Sequence, residues 1–293
     1  MNFGRLLTAM VTPFDENLRV DYGRAAELAR RLVDSGSEGI VVGGTTGESP
    51  TLTTNEKVDL VREVVAAVGD RARVIAGTGS NSTAASTDLT ARMEDTGVHG
   101  IMLVAPYYNK PSQEGLYRHF RSVADSTELP VMLYNVPGRT SVNITAATVL
   151  RLAQTRNIVA IKEAGGSLDQ AGEIVAKAPE GFVVYSGDDS LTLPLMSVGG
   201  VGVVSVAAHL VGREMKDMIE SFEAGDVNRA KRLHLRLLPL FKALFITTNP
   251  VPVKAALAMA GFPVGGVRQP LWMMEAKEEQ VLRECMGSLG LLA

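Results

Sequence analysis

The sequence predicts an α/β fold: a closed (β/α)8 TIM barrel carrying a C-terminal helical extension. Three observations predict it. Eight short apolar runs are each followed by glycine or polar residues. The runs begin roughly 20 to 35 residues apart, the length of one strand–helix unit. Amphipathic stretches fill the intervals, and eight such units favour a closed barrel over an open doubly wound sheet.

The predicted strands are Leu6–Val11, Gly39–Gly43, Arg73–Gly77, Gly100–Ala105, Pro130–Tyr134, Ile158–Ile161, Phe182–Tyr185 and Val201–Val206. Several are apolar throughout, such as Ile101-Met102-Leu103-Val104. Strands covered on both faces read this way, and all-parallel sheets are covered on both faces. The helix from about Tyr22 closes at Gly36, a residue suited to the left-handed turn after a helix. Thr53 stands three residues before Glu56, a capping box ahead of Val58, Val61, Val64, Val65 and Val68. Ser112 can cap a helix bearing Leu116, Tyr117, Phe120 and Val123. Beyond about Val211 the strand pattern stops. Helices are predicted over Glu214–Ala224, Val227–Phe245, Pro252–Ala260 and Ala276–Leu289. The division is therefore barrel over 1–211 and helical extension over 212–293.

Composition excludes several function classes. The chain of 293 residues is 46% hydrophobic and carries a net charge of −3. It lacks a long basic run, which argues against nucleic acid and anionic membrane as partners. No apolar run reaches the roughly 18 residues of a membrane span. Met1 to Val11 lacks the charged-then-apolar order of a signal peptide. The single cysteine, Cys285, forms no intrachain disulfide, which suits a reducing cytoplasm. It shares a helix face with Val281, Leu282 and Leu289 and reads as packing. His99, His119, His209 and His234 show no metal-ligand spacing, so a zinc-dependent aldolase is disfavoured. His99 and His119 read as helix or loop residues. Nucleotide-binding glycine motifs are absent, and no cofactor is implied. Gly199-Gly200-Val201-Gly202 precedes its strand and reads as an entry loop, not a phosphate site.

In such a barrel the active site lies where the C-terminal strand ends converge. Strand two delivers Gly44-Thr45-Thr46-Gly47-Glu48-Ser49, and strand four Pro106-Tyr107-Tyr108-Asn109. Strand five delivers Tyr134-Asn135-Val136-Pro137-Gly138-Arg139-Thr140, strand six Lys162-Glu163, and strand seven Ser186-Gly187-Asp188-Asp189. Lys162 is the most informative. It follows Ile158-Val159-Ala160-Ile161, and desolvation at such a place favours the free amine. A free amine attacks a ketone to form an imine. The plainer alternative is a lysine that snorkels at the strand end toward an acid. Tyr134 lies one strand earlier, where its phenol could relay protons to Lys162 or simply pack. Thr45 and Thr46 offer hydroxyls and backbone N–H groups suited to a carboxylate, though Gly-Thr-Thr-Gly could also be a plain turn. Arg139 could grip a carboxylate bidentately or remain a solvated surface arginine.

These strings resemble the dihydrodipicolinate synthase family. The resemblance runs from about Gly4 to the C-terminal helices. It rests on Gly44-Thr45-Thr46-Gly47-Glu48, on Ala105 to Gly115, on Leu133-Tyr134-Asn135-Val136-Pro137-Gly138-Arg139-Thr140, and on Ile161-Lys162-Glu163-Ala164. The first and last belong to a wider pyruvate-lyase superfamily, while the combination with Arg139 is more specific. The resemblance implies that Lys162 condenses with pyruvate and that the enamine attacks L-aspartate 4-semialdehyde, in diaminopimelate and lysine biosynthesis. It implies a proton relay of Tyr134, Thr45 and Tyr108, with Tyr108 reaching a neighbouring subunit's site, and hence a dimer paired into a homotetramer. Thr46 is then expected to bind the pyruvate carboxylate, Gly187 and the Val204 backbone to line the pocket, and Arg139 to hold the second carboxylate. N-acetylneuraminate lyase and 2-keto-3-deoxy sugar-acid aldolases are the rival activities, sharing Lys162, Tyr134 and the Gly-Thr-Thr-Gly-Glu loop. A non-catalytic binding barrel is the rival from another class. One departure stands out. Lysine-inhibited bacterial members place a glutamate and histidines at a dimer-interface site, where this sequence has Ala85, Thr54 and Lys57; Ser49, Asn81 and Tyr107 match. Weak or absent lysine inhibition is expected.

Overall fold

The computed structural model describes residues 3–293, so the first two residues of the stretch read for a targeting signal lie outside it. Eight parallel strands close in sequence order: β1 (Leu6–Ala9), β2 (Gly39–Val42), β3 (Arg73–Gly77), β4 (Gly100–Val104), β5 (Val131–Asn135), β6 (Ile158–Glu163), β7 (Val183–Ser186) and β8 (Gly202–Ser205). β8 returns to pair with β1. Helices surround them: α1 (Tyr22–Asp34), α2 (Thr54–Val68), α3 (Thr83–Met93), α4 (Gln113–Ala124), α5 (Pro137–Thr140), α6 (Ala146–Leu152), α7 (Leu168–Lys177), α8 (Thr192–Ser197) and α9 (Ala208–Glu223). α10 (Val227–Ala243), α11 (Val251–Met259) and α12 (Ala276–Ser288) follow.

The predicted punctuation is present. Thr53 and Glu56 form the reciprocal capping box of α2, Ser112 caps α4, and Gly36 takes φ +114° just past α1. Strand boundaries move by a few residues, and one shift matters. β6 continues through Lys162 to Glu163, so Lys162 sits within the strand. Val211, at the predicted domain boundary, lies inside α9 with a non-helical φ of −127°. α9 follows β8 and packs on β1, which makes it the eighth helix of the barrel wall.

Two apolar layers result. Inside the barrel Leu7, Val41, Ile75, Met102, Met132, Tyr134, Ala160, Tyr185 and Val204 form one cluster. Alternate residues such as Leu6, Ile40, Ile101, Leu133 and Ile161 face outward onto the helices. Side chains alternate in a strand, so β6 should keep Ile158, Ala160 and Lys162 on one face. Ile158 faces outward, and a regular strand would therefore put Lys162 outside. A register irregularity opposite Val131/Met132 removes that conflict. Val159 and Ala160 both pack against the interior cluster. The bulge reverses the alternation, and Lys162 shares the inward parity of Ala160 beside Tyr134. Among the described residues no helix is long and apolar enough to cross a membrane.

Candidate active site

Lys162 pairs in register with Tyr134 on one side and Tyr185 on the other. It is 5% exposed, and its Nζ lies 4.3 Å from the centre of the Tyr134 ring. Among the described residues it has no ion-pair partner. The amine faces the aromatic ring rather than a carboxylate. Tyr185 is fully buried, and its hydroxyl donates to the Gly4 carbonyl at 2.8 Å. Burial pushes its phenol well above the ordinary range. Gly187 is required by space: a Cβ there would stand 3.1 Å from Lys162 Cε and 2.6 Å from the Ala164 Cβ. Its missing side chain leaves the lysine stem free on that flank.

On the Tyr134 side lies a cavity of about 250 Å³. Tyr134, Thr45, Arg139, Lys57 and Tyr107 help to line it. Lys162, Thr46, Gly187 and Val204 are not among its lining residues. Val204 directs its side chain into the interior cluster and is 1% exposed. Arg139 stands on the short α5, exposed, with one long hydrogen bond of 3.4 Å to the Asn249 carbonyl. Tyr108 is not brought to the others within the single chain. It is 89% exposed at a φ of +74°, directed out from the β4–α4 loop.

The 44–48 loop is tightly built. Gly47 and Ser49 donate backbone N–H to Gly44, and Glu48 donates to Thr45. Thr12 donates its hydroxyl to the Gly47 carbonyl at 2.6 Å. The buried Asn249 donates its amide to Thr46 Oγ1 at 2.9 Å. Asn249 thus touches both predicted carboxylate-binding residues, Thr46 and Arg139, and sequence reasoning did not single it out. The legible signal was Thr247-Thr248-Asn249-Pro250, a polar turn between two apolar helices. Glu48 takes a left-handed φ of +55° and turns its carboxylate inward to Lys254, also missed. There the signal was a lone charge in the apolar run Val251 to Ala260.

Glu163, next after Lys162, points out of the barrel. It accepts hydrogen bonds from Asn135, Gln170 and the Gly165 N–H. Burial raises its pKa while those donors oppose the rise. The histidines are placed structurally. His209 hydrogen-bonds Val11 N–H and the Val206 carbonyl, with burial pulling its pKa to about 4. His119 lies in α4 and His99 in the turn before β4. Among the described residues no cluster of three His, Cys, Asp or Glu could hold a metal.

A buried lysine near the C-terminal end of a barrel strand, beside a tyrosine, is what an imine-forming lyase needs. Comparison with known proteins agrees. The model of the dihydrodipicolinate synthetase family matches residues 2–288. The 4-hydroxy-tetrahydrodipicolinate synthase of Moorella thermoacetica is 59% identical over 292 residues, covering 100% of both chains. That of Heliobacterium modesticaldum is 60% identical, over 99% of this chain and 97% of its own. Among solved structures, a dihydrodipicolinate synthase of Bacillus anthracis superposes with a TM-score of 0.97 at 54% identity, covering 98% of this chain and 99% of that one. A lysine-bound enzyme of this kind from Cyanidioschyzon merolae gives 0.98 at 50% identity, covering 99% of each. The chain belongs to the dihydrodipicolinate synthetase family.

Proposed function

We propose that the protein is a 4-hydroxy-tetrahydrodipicolinate synthase, a lyase that joins pyruvate to L-aspartate 4-semialdehyde through an imine on Lys162. The observation that carries this is the inward, unpaired Lys162 amine at 4.3 Å from the Tyr134 ring. The amine attacks the pyruvate ketone and water leaves, giving the imine. Loss of a methyl proton gives the enamine, whose terminal carbon bonds to the aldehyde carbon of the second substrate. The amino group of that substrate then attacks the imine carbon and displaces Lys162, closing the ring. Net release is the one water lost at imine formation.

Tyr134 is the group close enough to pass protons during carbinolamine formation and dehydration, with Thr45 beside it on the cavity wall. Thr46 and the 44–48 backbone receive the pyruvate carboxylate, and Arg139 takes the second carboxylate at the cavity rim. Tyr108, exposed and away from this chain's own cavity, completes the relay in a neighbouring copy of a homotetramer built from dimers. Biosynthesis of diaminopimelate and lysine in the cytoplasm is the setting. The test is an assay with pyruvate and L-aspartate 4-semialdehyde, read through reductase-coupled NADPH oxidation. Turnover of that pair, with none on N-acetylneuraminate, supports the proposal; cleavage of N-acetylneuraminate instead would overturn it.

A further inference from the structure

The loop expected to receive pyruvate is tied to the helical extension by charges that the reaction does not use. Lys254, on α11, places its Nζ 2.6 Å from Glu48 Oε1, with the two side chains 3% and 0% exposed. Lys254 also donates to the Gly266 carbonyl at 2.7 Å and lies 4.1 Å from the centre of the Phe14 ring. Glu48 Oε2 accepts the Arg268 backbone N–H at 2.9 Å. The Arg268 guanidinium reaches back to the Thr51 and Leu18 carbonyls and to both oxygens of Glu56, at the start of α2. Thus α11 and the segment at 266–268 grip Glu48, at the exit of the 44–48 loop.

A buried ion pair of this kind adds little net stability over a well-packed apolar pair, because two desolvated charges cost nearly what their attraction returns. It does impose direction: the carboxylate must point at Lys254, and Glu48 must hold its left-handed turn to reach it. That turn sets the orientation of the Thr45–Gly47 backbone. Resting on the function proposed above, we infer that Lys254 is a positioning residue, acting through Glu48 to hold the 44–48 loop in the shape that receives the pyruvate carboxylate. The helical extension is then part of the binding apparatus for the first substrate. It touches no reacting atom itself.

The test is borohydride trapping of pyruvate on Lys162 as pyruvate is varied, for wild type, Glu48→Gln, Lys254→Met and the double variant. Lys254→Met alone strands a buried carboxylate and can fail to fold; the double variant removes both charges, and Glu48→Gln keeps the shape of the side chain. The expected result is folded Glu48→Gln and double variants with half-saturating pyruvate raised about tenfold, the scale of losing one charge-assisted hydrogen bond. The trapping rate at saturation stays within about twofold, since Lys162 and Tyr134 are untouched. Folded variants with wild-type half-saturation would overturn the inference and leave the pair a packing feature. A wild type that forms no adduct on Lys162 would instead overturn the proposed function on which it rests.

Discussion

Replacing Tyr134 by phenylalanine separates the chemistry of this site from its packing. Tyr134 is 5% exposed in the interior cluster, and its ring holds the Lys162 amine at 4.3 Å. Phenylalanine keeps that ring, its volume and its contacts, so the barrel loses one hydroxyl only. The hydroxyl makes no hydrogen bond to another described group, and the stability change is expected below about 1 kcal/mol. Its loss as a proton carrier is a different matter. A positioned acid–base group contributes roughly 10²–10⁴ in rate. At 1.36 kcal/mol per decade that is about 2.7 to 5.4 kcal/mol of barrier. Coupled turnover and pyruvate trapping should therefore both slow by at least about a hundredfold, with an unchanged melting curve. Turnover within about threefold of wild type in a folded variant would refute the relay and leave Tyr134 as packing.

Other perturbations test other parts. Arg139→Ala should raise the KM for L-aspartate 4-semialdehyde by about one to two decades, since a bidentate carboxylate contact is lost. Pyruvate trapping should stay unchanged, and a matching loss of trapping would contradict the assignment. Lysine in the millimolar range should leave turnover unaffected: Lys57 is at the cavity wall, and Ala85 and Thr54 supply no acid for an α-ammonium. Strong inhibition would show that other groups make the site. The Glu56 carboxyl is held at about 2 by hydrogen bonding with Arg268, below its ordinary 4.5. Its folded pKa is depressed, so its stabilisation is full above 4.5 and lost as pH falls toward 2. Thermal melts over that window should show the decline, and Arg268→Leu should flatten it.

The barrel was legible because its signal is repeated. Eight apolar runs with capped helices between them agree on one architecture, and an error at any strand end leaves the count intact. The candidate site was legible to the extent that its residues lie at strand ends: Lys162 pairs with Tyr134 on adjacent strands, and Tyr134, Thr45 and Arg139 line one cavity. The inward aim of Lys162 was not. Its strand needs the irregularity at Val159 to turn the lysine inside, and a one-residue slip leaves no mark in a run that is apolar throughout. The groups that Lys254, Asn249 and Arg268 hold were also out of reach, whatever local signal marked Lys254 and Asn249 themselves. These three residues act from more than two hundred positions beyond the loop they hold, and local periodicity carries no information about such pairings. Tyr108 is the converse case. Its motif was readable, yet within the single chain it is 89% exposed and meets none of the other candidate residues.

Trapping of pyruvate is the most direct test of the account. Wild type and Lys162→Ala would be incubated with pyruvate and borohydride and the modified residue located by mass spectrometry. A reduced pyruvyl adduct on Lys162 in wild type, absent from the variant, is the predicted result. An unmodified Lys162 in folded wild-type protein would contradict the imine mechanism and with it the role given to every residue around that lysine.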